Sequence, residues 1–305
     1  MTNHTQRSML ILPANVRKFV EKACLRGADA VVLDLEDSVP LPEKAAARAA
    51  IQDAIPSAGR GGADVLVRVN NDPQLLQQDL AAAVQPGLHA VFFPKVEEPA
   101  QILDLETRIA ALEQQRGLAP GSVKIAAHIE SPKGVLNVRG LAFSSSRVES
   151  MSLGPDDYCL ELGVDPSPNA TELFMACSML AVACKAAGIN PMGVLGTVAG
   201  FRDSEGFERT AEAARQIGFT GAYCIHPDQV PILNRVFTPL PEKVDFARRV
   251  VTAFEEGLAQ GRASISLDGR MVDTPVYKRG KALLERARIV AEKDAQKARA
   301  MALLQ

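Results

Sequence analysis

Ionisable side chains stand where the apolar runs of this 305-residue sequence stop. Ala30 to Leu33 is followed by Asp34, Glu36 and Asp37, and VLV by Arg68 and Asn70. Further runs end at Lys95, at His128 and Glu130, at Asp156 and Asp157, and at His226. Charge in such places costs free energy unless it is paired, hydrated or bound to a counter-ion. Glu130 and Asp157 end consecutive apolar runs, which predicts carboxylates within a few ångströms of each other. Two close carboxylates raise each other's pKa unless a cation lies between them. An oxygen-only pair, with other positions left to water and substrate, suits Mg²⁺, and a salt-bridged pair of rim acids is the alternative. Arg68, inside VLVRV, calls for an anion. That anion is a substrate carboxylate or oxyanion, or a buried partner such as Asp34 or Glu36, and the two roles are compatible. Gly154 and Pro155 precede the paired Asp residues, where a glycine admits close backbone approach to a ligand or makes a turn. His128 reads as a packed interior residue, and His226, held extended by Pro227, as structural or substrate-lining.

The elements that must position these groups alternate. Strand-like runs SMLILP, AVVLDLE, DVLVRVN, AVFFPKV, KIAAHIES, VESMSLGPDDY, PMGVLG and GAYCIHP are each followed by a helical pattern. Their continuous apolar character suits a parallel sheet covered on both faces. Eight such units in about 235 residues predict a (β/α)8 TIM barrel, whose active site lies at the C-terminal ends of the strands. A doubly wound sheet is the competitor, but ILPANVRKF lacks the GxGxxG turn. The barrel is expected over 1–240. A helical extension follows over 241–305, built from a helix beginning at EKV, a Gly- and Asp-bearing loop and a charged helix from about Lys278. The extension is expected to pack on the barrel or on a neighbouring subunit.

Composition narrows the class. The chain is 47% hydrophobic with a net charge of −2, so a large core is available and no basic footprint for nucleic acid is present. No run reaches the roughly 18 uncharged residues of a membrane helix, and the start lacks a signal-peptide pattern. The five cysteines form no CxxC pair and read as small buried hydrophobes in a reducing, cytoplasmic setting.

The motifs RSMLILPAN, LDLEDSV, VRVN, PKVE, IESPKGVLN, LGPDDY, IHPDQ and DGRMVDTPV occur in this order. With them the chain, from about residue 7 to 290, resembles the citrate lyase β-subunit-like branch of the HpcH/HpaI aldolase family. The resemblance implies a (β/α)8 barrel, a homotrimer or higher homo-oligomer, and a lyase that makes or breaks a C–C bond beside a CoA thioester, releasing a 2-oxo acid. It places Mg²⁺ on Glu130 and Asp157 and substrate on Arg68. Glu36 and Asp37 fall near the metal waters or Arg68. Asp273 becomes an acid/base group entering the site of an adjacent subunit. Arg7 and Lys44 match positions near the thioester phosphates or the rim. The seventh strand lacks an acid that many relatives carry, and a Lys common before IHP is replaced, which leaves the acyl substrate open.

Citramalyl-CoA and malyl-CoA are the expected substrates. Two rival activities are a citryl-carrier-protein lyase subunit within a citrate lyase complex and a CoA-independent, metal-dependent aldolase of 2-oxo acids. The DGRMVDTPV tail favours the thioester over the latter.

Overall fold

A computed structural model describes residues 4–304. They form two compact units: residues up to Val236 together with Lys297 onward, and Phe237–Gln296. In the first unit eight parallel strands run β1 Ser8–Pro13, β2 Ala30–Asp34, β3 Asp64–Arg68, β4 Ala90–Phe93, β5 Lys124–Ile129, β6 Val148–Leu153, β7 Asn190–Met192 and β8 Ala222–Cys224. Each pairs with its sequence neighbour from β1 to β7, and β8 returns to β1. A parallel bridge from Met192 to Gly221 joins β7 to the start of β8 and closes the ring. The expected (β/α)8 barrel is what forms. Val31, Val32 and Leu33 have no exposed surface, as a strand packed on both faces requires.

Local chemistry sets the element ends. Asp72 accepts from the backbone N–H groups of Gln74 and Leu75 and starts the helix Pro73–Ala83. Glu98 and Gln101 form a reciprocal capping box on Pro99–Gln115. All five cysteines are buried and unpaired, and burial pushes the Cys177 and Cys184 thiols up to about 12. Among the described residues no helix is long and apolar enough to cross a membrane.

Register decides which side chains meet at the C-terminal rim of the barrel. Asp34 pairs with Arg68 across β2 and β3, and His128 with Ser152 across β5 and β6. Side chains at paired positions share a face, so these contacts follow from strand alignment.

The second unit packs Val250, Phe254 and Val272 against Phe246, Ile265, Leu267, Val276 and Tyr277. The stretch expected to be a loop is instead a hairpin, β9 Ile265–Leu267 and β10 Arg270–Val272. Its turn, Asp268–Gly269, has φ of 51° and 74°, the conformation that Asp-Gly favours between alternating apolar residues. The final helix begins at Thr274, ahead of the expected Lys278, because the Asp273 carboxylate accepts from the Val276 backbone N–H at 3.2 Å and caps it. From Lys297 onward the chain belongs with the barrel: Lys297 Nζ lies 2.5 Å from Asp29 Oδ1.

Candidate active site

The C-terminal ends of β2 to β6 bring five carboxylates and two cations together. Asp34, fully buried, accepts from Arg68 Nε and Nη2, both at 2.6 Å. Ser38 Oγ and the backbone N–H groups of Glu36 and Ser38 also donate to it. Burial works to raise the Asp34 pKa, but Arg68 and Ser38 outweigh it and hold the carboxyl below its usual value. Arg68 Nη1 lies 3.2 Å from Glu36 and 3.6 Å from Asp37. The two anion roles expected for Arg68 are thus compatible in number. Of its five N–H donors two serve Asp34 and Nη1 faces Glu36 and Asp37, which leaves capacity for a substrate oxygen.

Lys95 links the acids. Its ammonium reaches Glu36 Oε1 at 2.7 Å and Asp37 at 3.5 Å, and its backbone N–H donates to Glu130 Oε2 at 2.7 Å. It holds this geometry at φ 54°, a left-handed conformation that costs a non-glycine residue of order 1 kcal/mol. Asn71 Nδ2 pins the segment by donating to the carbonyls of Pro94 and Lys95, at 3.1 and 2.9 Å.

Glu130 is the most perturbed acid of the site. Burial and the charge of Glu36 push its pKa up to about 8, Asp157 adds to this, and the Lys95 N–H and ammonium oppose it. His128 sits behind it with Nδ1 2.6 Å from Ser152 Oγ, and burial lowers its pKa to about 3, so the ring is neutral. His128 is a packed interior residue, with the Tyr223 ring edge-on at 5.2 Å. Asp157 is half-buried on the first turn of the helix Pro155–Leu162, one element past the expected strand end. Gly154 packs on Glu130 itself. A Cβ there would fall 2.6 Å from Glu130 Cγ and 2.8 Å from His128 Nε2, so the missing side chain makes room for the acid. Pro155 is buried at the helix start, and the exposed Asp156 bonds to Thr197 at 3.2 Å.

Asp34, Glu36, Asp37, Glu130 and Asp157 outnumber Arg68 and Lys95 by five acids to two bases, and among the described residues Glu130 has the neutral His128 ring at 3.5 Å but no Lys or Arg ion pair. A hard divalent cation held by Glu130 and Asp157 fits that excess and the oxygen-only donor set.

The HpcH/HpaI aldolase/citrate lyase model matches residues 7–227. The citrate lyase subunit beta of Escherichia coli is 36% identical, over 93% of this chain and 94% of its own length. The chain belongs to the HpcH/HpaI aldolase/citrate lyase family. The chain is a carbon–carbon lyase of this family. The L-malyl-CoA/beta-methylmalyl-CoA lyase of Cereibacter sphaeroides is 30% identical, over 93% of this chain and 95% of its own. Protein CitE of Mycobacterium tuberculosis, solved with magnesium, acetoacetate and coenzyme A, superposes with a TM-score of 0.73 at 27% identity, covering 94% of this chain and all of that one.

Within the family frame, some expected residues lie elsewhere. Arg7 is a correction. It is buried at the N-terminal end of β1, where its Nε and Nη2 bond to Asp29 at 2.8 and 2.9 Å. That is the end of the barrel opposite the rim, so it does not reach a thioester bound there. Lys44 is at the rim, but its ammonium donates to the carbonyls of Leu35 and Glu36 at 2.8 and 2.7 Å and so holds the acidic loop. Asp273 lies in the second unit as the helix cap described above. His226 stacks on Phe201 with centroids 4.8 Å apart. Sequence reasoning gave no role to Lys95, Asn71 or Tyr223, whose hydroxyl donates to the Leu153 carbonyl at 2.7 Å. The Pro-Lys pair after an apolar run was the available signal for Lys95, although nothing local announces a left-handed backbone there.

Proposed function

We propose that this chain is a Mg²⁺-dependent lyase that cleaves, or in reverse condenses, a 3-hydroxyacyl-CoA carrying a carboxylate beside its hydroxyl, such as citramalyl-CoA or malyl-CoA. The products are a 2-oxo acid and an acyl-CoA. The observation that carries the reading is Glu130: a buried carboxyl pushed up to about 8, flanked by acids and presented by the Lys95 N–H. Mg²⁺ held by Glu130 and Asp157 would supply Lewis acidity to the substrate's carboxylate and hydroxyl oxygens.

The chain's own residues divide the remaining work. Arg68, oriented by Asp34, donates N–H groups to the oxygen that changes from hydroxyl to ketone. Glu36 and Asp37 hold Arg68 and Lys95 in place from the acidic loop that Lys44 fastens. As the C–C bond breaks, its electron pair moves onto the acyl thioester as an enolate. Asp273, contributed by an adjacent subunit of a homotrimer, protonates that carbon, so the net transfer is one proton from hydroxyl to acyl carbon. Gly154 and Pro155 line the approach to Glu130.

The test is turnover of a panel of CoA esters by purified protein with and without Mg²⁺. Mg²⁺-dependent release of glyoxylate, pyruvate or oxaloacetate is the expected result, lost in Glu130→Gln and Asp157→Asn. Undiminished turnover in either variant refutes the metal assignment. Mixed Asp273→Ala and Glu130→Ala chains should recover part of the activity if the site is shared between subunits.

The likeness to the Escherichia coli citrate lyase subunit beta supports a second reading, a subunit that acts on a citryl-carrier thioester within a complex. Activity of the isolated chain on the carrier thioester but not on free CoA esters would select it.

A further inference from the structure

At the end of the barrel opposite the acidic rim, four side chains converge that the reaction does not use. His4 precedes β1, Asp64 opens β3, His89 stands one residue before β4, and Glu149 is the second residue of β6. His4 Nε2 lies 2.8 Å from Asp64 Oδ2, and His89 Nε2 lies 2.7 Å from Glu149 Oε1. The imidazoles of His4 and His89 stack with centroids 4.6 Å apart. One donor atom each from His4, Asp64 and His89 falls within a 4.8 Å span, with all three side chains half-buried. A depression of about 490 Å³, lined in part by Gly59, Arg60, Gly87 and Leu88, opens beside Asp64 and His89.

We propose that His4, Asp64 and His89 bind a borderline divalent cation of the Zn²⁺ class, with Glu149 orienting His89. Two imidazoles and a carboxylate are the donors such ions select, whereas a hard ion such as Mg²⁺ prefers the all-oxygen rim. Ligands about 2.0–2.2 Å from a tetrahedral ion stand about 3.3 Å apart, so donors within 4.8 Å of one another need to close by at most about 1.5 Å. A carboxylate on a ring nitrogen of a metal-bound imidazole is the usual outer support for such a ligand. Charge favours the ion as well. One divalent ion balances the charge of the two carboxylates, Asp64 and Glu149. The bound ion ties the segment before β1 to the barrel floor.

The test uses the full chain without an N-terminal tag, stripped by a chelator and kept in excess Mg²⁺ so that the rim is occupied. Titration with Co²⁺, followed by visible absorption, should reveal one saturable site per chain with the intense bands of low coordination number. Zn²⁺ should displace the Co²⁺ and raise the thermal midpoint. His89→Ala should weaken Co²⁺ binding at least 100-fold and Glu149→Gln roughly 10- to 100-fold. His4→Ala, outside the barrel strands, should weaken it without altering the circular dichroism of the fold. Absence of a saturable Co²⁺ site, or uptake unchanged in the His4→Ala/His89→Ala chain, overturns the proposal.

Discussion

Lys95 presents its backbone N–H to Glu130 Oε2 at 2.7 Å while its own ammonium, on the same left-handed residue, reaches Glu36 Oε1 at 2.7 Å. One residue therefore couples two acids that otherwise repel, and its side-chain charge holds down the Glu130 pKa. Lys95→Met keeps the N–H and removes the charge. The pH midpoint of Mg²⁺ binding should rise, as read by calorimetry. An unchanged midpoint would show that the ammonium does not act on Glu130.

Metal binding should depend on pH through Glu130. The ionised carboxylate is the ligand, and its pKa in the metal-free fold is about 8. Below that value the ionised fraction falls tenfold per pH unit, so affinity should rise toward a tenfold gain per unit and level off above about 8. Calorimetry at pH 7 in two buffers of different ionisation enthalpy should find close to one proton released per ion. Binding that is flat from pH 6 to 9 would contradict this.

Gly154 has φ −87°, a backbone any residue adopts, so Gly154→Ala tests space alone. The new Cβ would press on Glu130 Cγ from 2.6 Å. Overpacking of this kind costs about 1–3 kcal/mol. Mg²⁺ affinity and kcat should drop about 10- to 100-fold while the chain stays folded, since a 1.4 kcal/mol loss is tenfold. Wild-type affinity in this variant would mean that the acid moves aside freely.

Arg68→Lys should behave as a severe change. The ammonium cannot reproduce the paired bonds to Asp34 that fix the guanidinium plane. We expect kcat to fall about 10²- to 10³-fold, with KM altered less. Arg68→Ala should in addition lower stability by about 3–5 kcal/mol by stranding a fully buried Asp34.

Glu113 provides a stability test away from the site. Its carboxylate accepts from Arg147 Nη1 and Nη2 at 2.8 and 2.7 Å. Burial raises its pKa, but Arg147 and the N–H groups of Val123 and Gly121 outweigh this and bring it to about 2. A depressed carboxyl binds fewer protons folded than unfolded, so it stabilises above the unfolded value of about 4.5, and that contribution is lost as pH falls toward 2. Glu113→Gln should therefore melt well below wild type at pH 7, and the gap should narrow steadily below pH 4.5. A gap that widens in acid would reverse the sign.

The sequence by itself determined the number and order of the barrel strands, because an apolar run, a helical period and a capping residue are local. It also placed Asp34, Arg68, Glu130 and His128 where runs end, and in a parallel barrel every such end faces one mouth. The Arg7 position was legible on the same rule, since it precedes its strand and so belongs to the opposite mouth. The Asp268–Gly269 turn had a local signal too, an Asp-Gly pair between alternating apolar residues, although the stretch was expected to be a loop. Tertiary structure alone decided the rest. Strand register set Asp34 against Arg68, packing held Lys95 left-handed over Glu130, and the N-terminal ends of distant strands brought His4 to Asp64 and His89. Each of these depends on alignment between segments far apart in the chain, and side chains are matched across strands only once the sheet has closed.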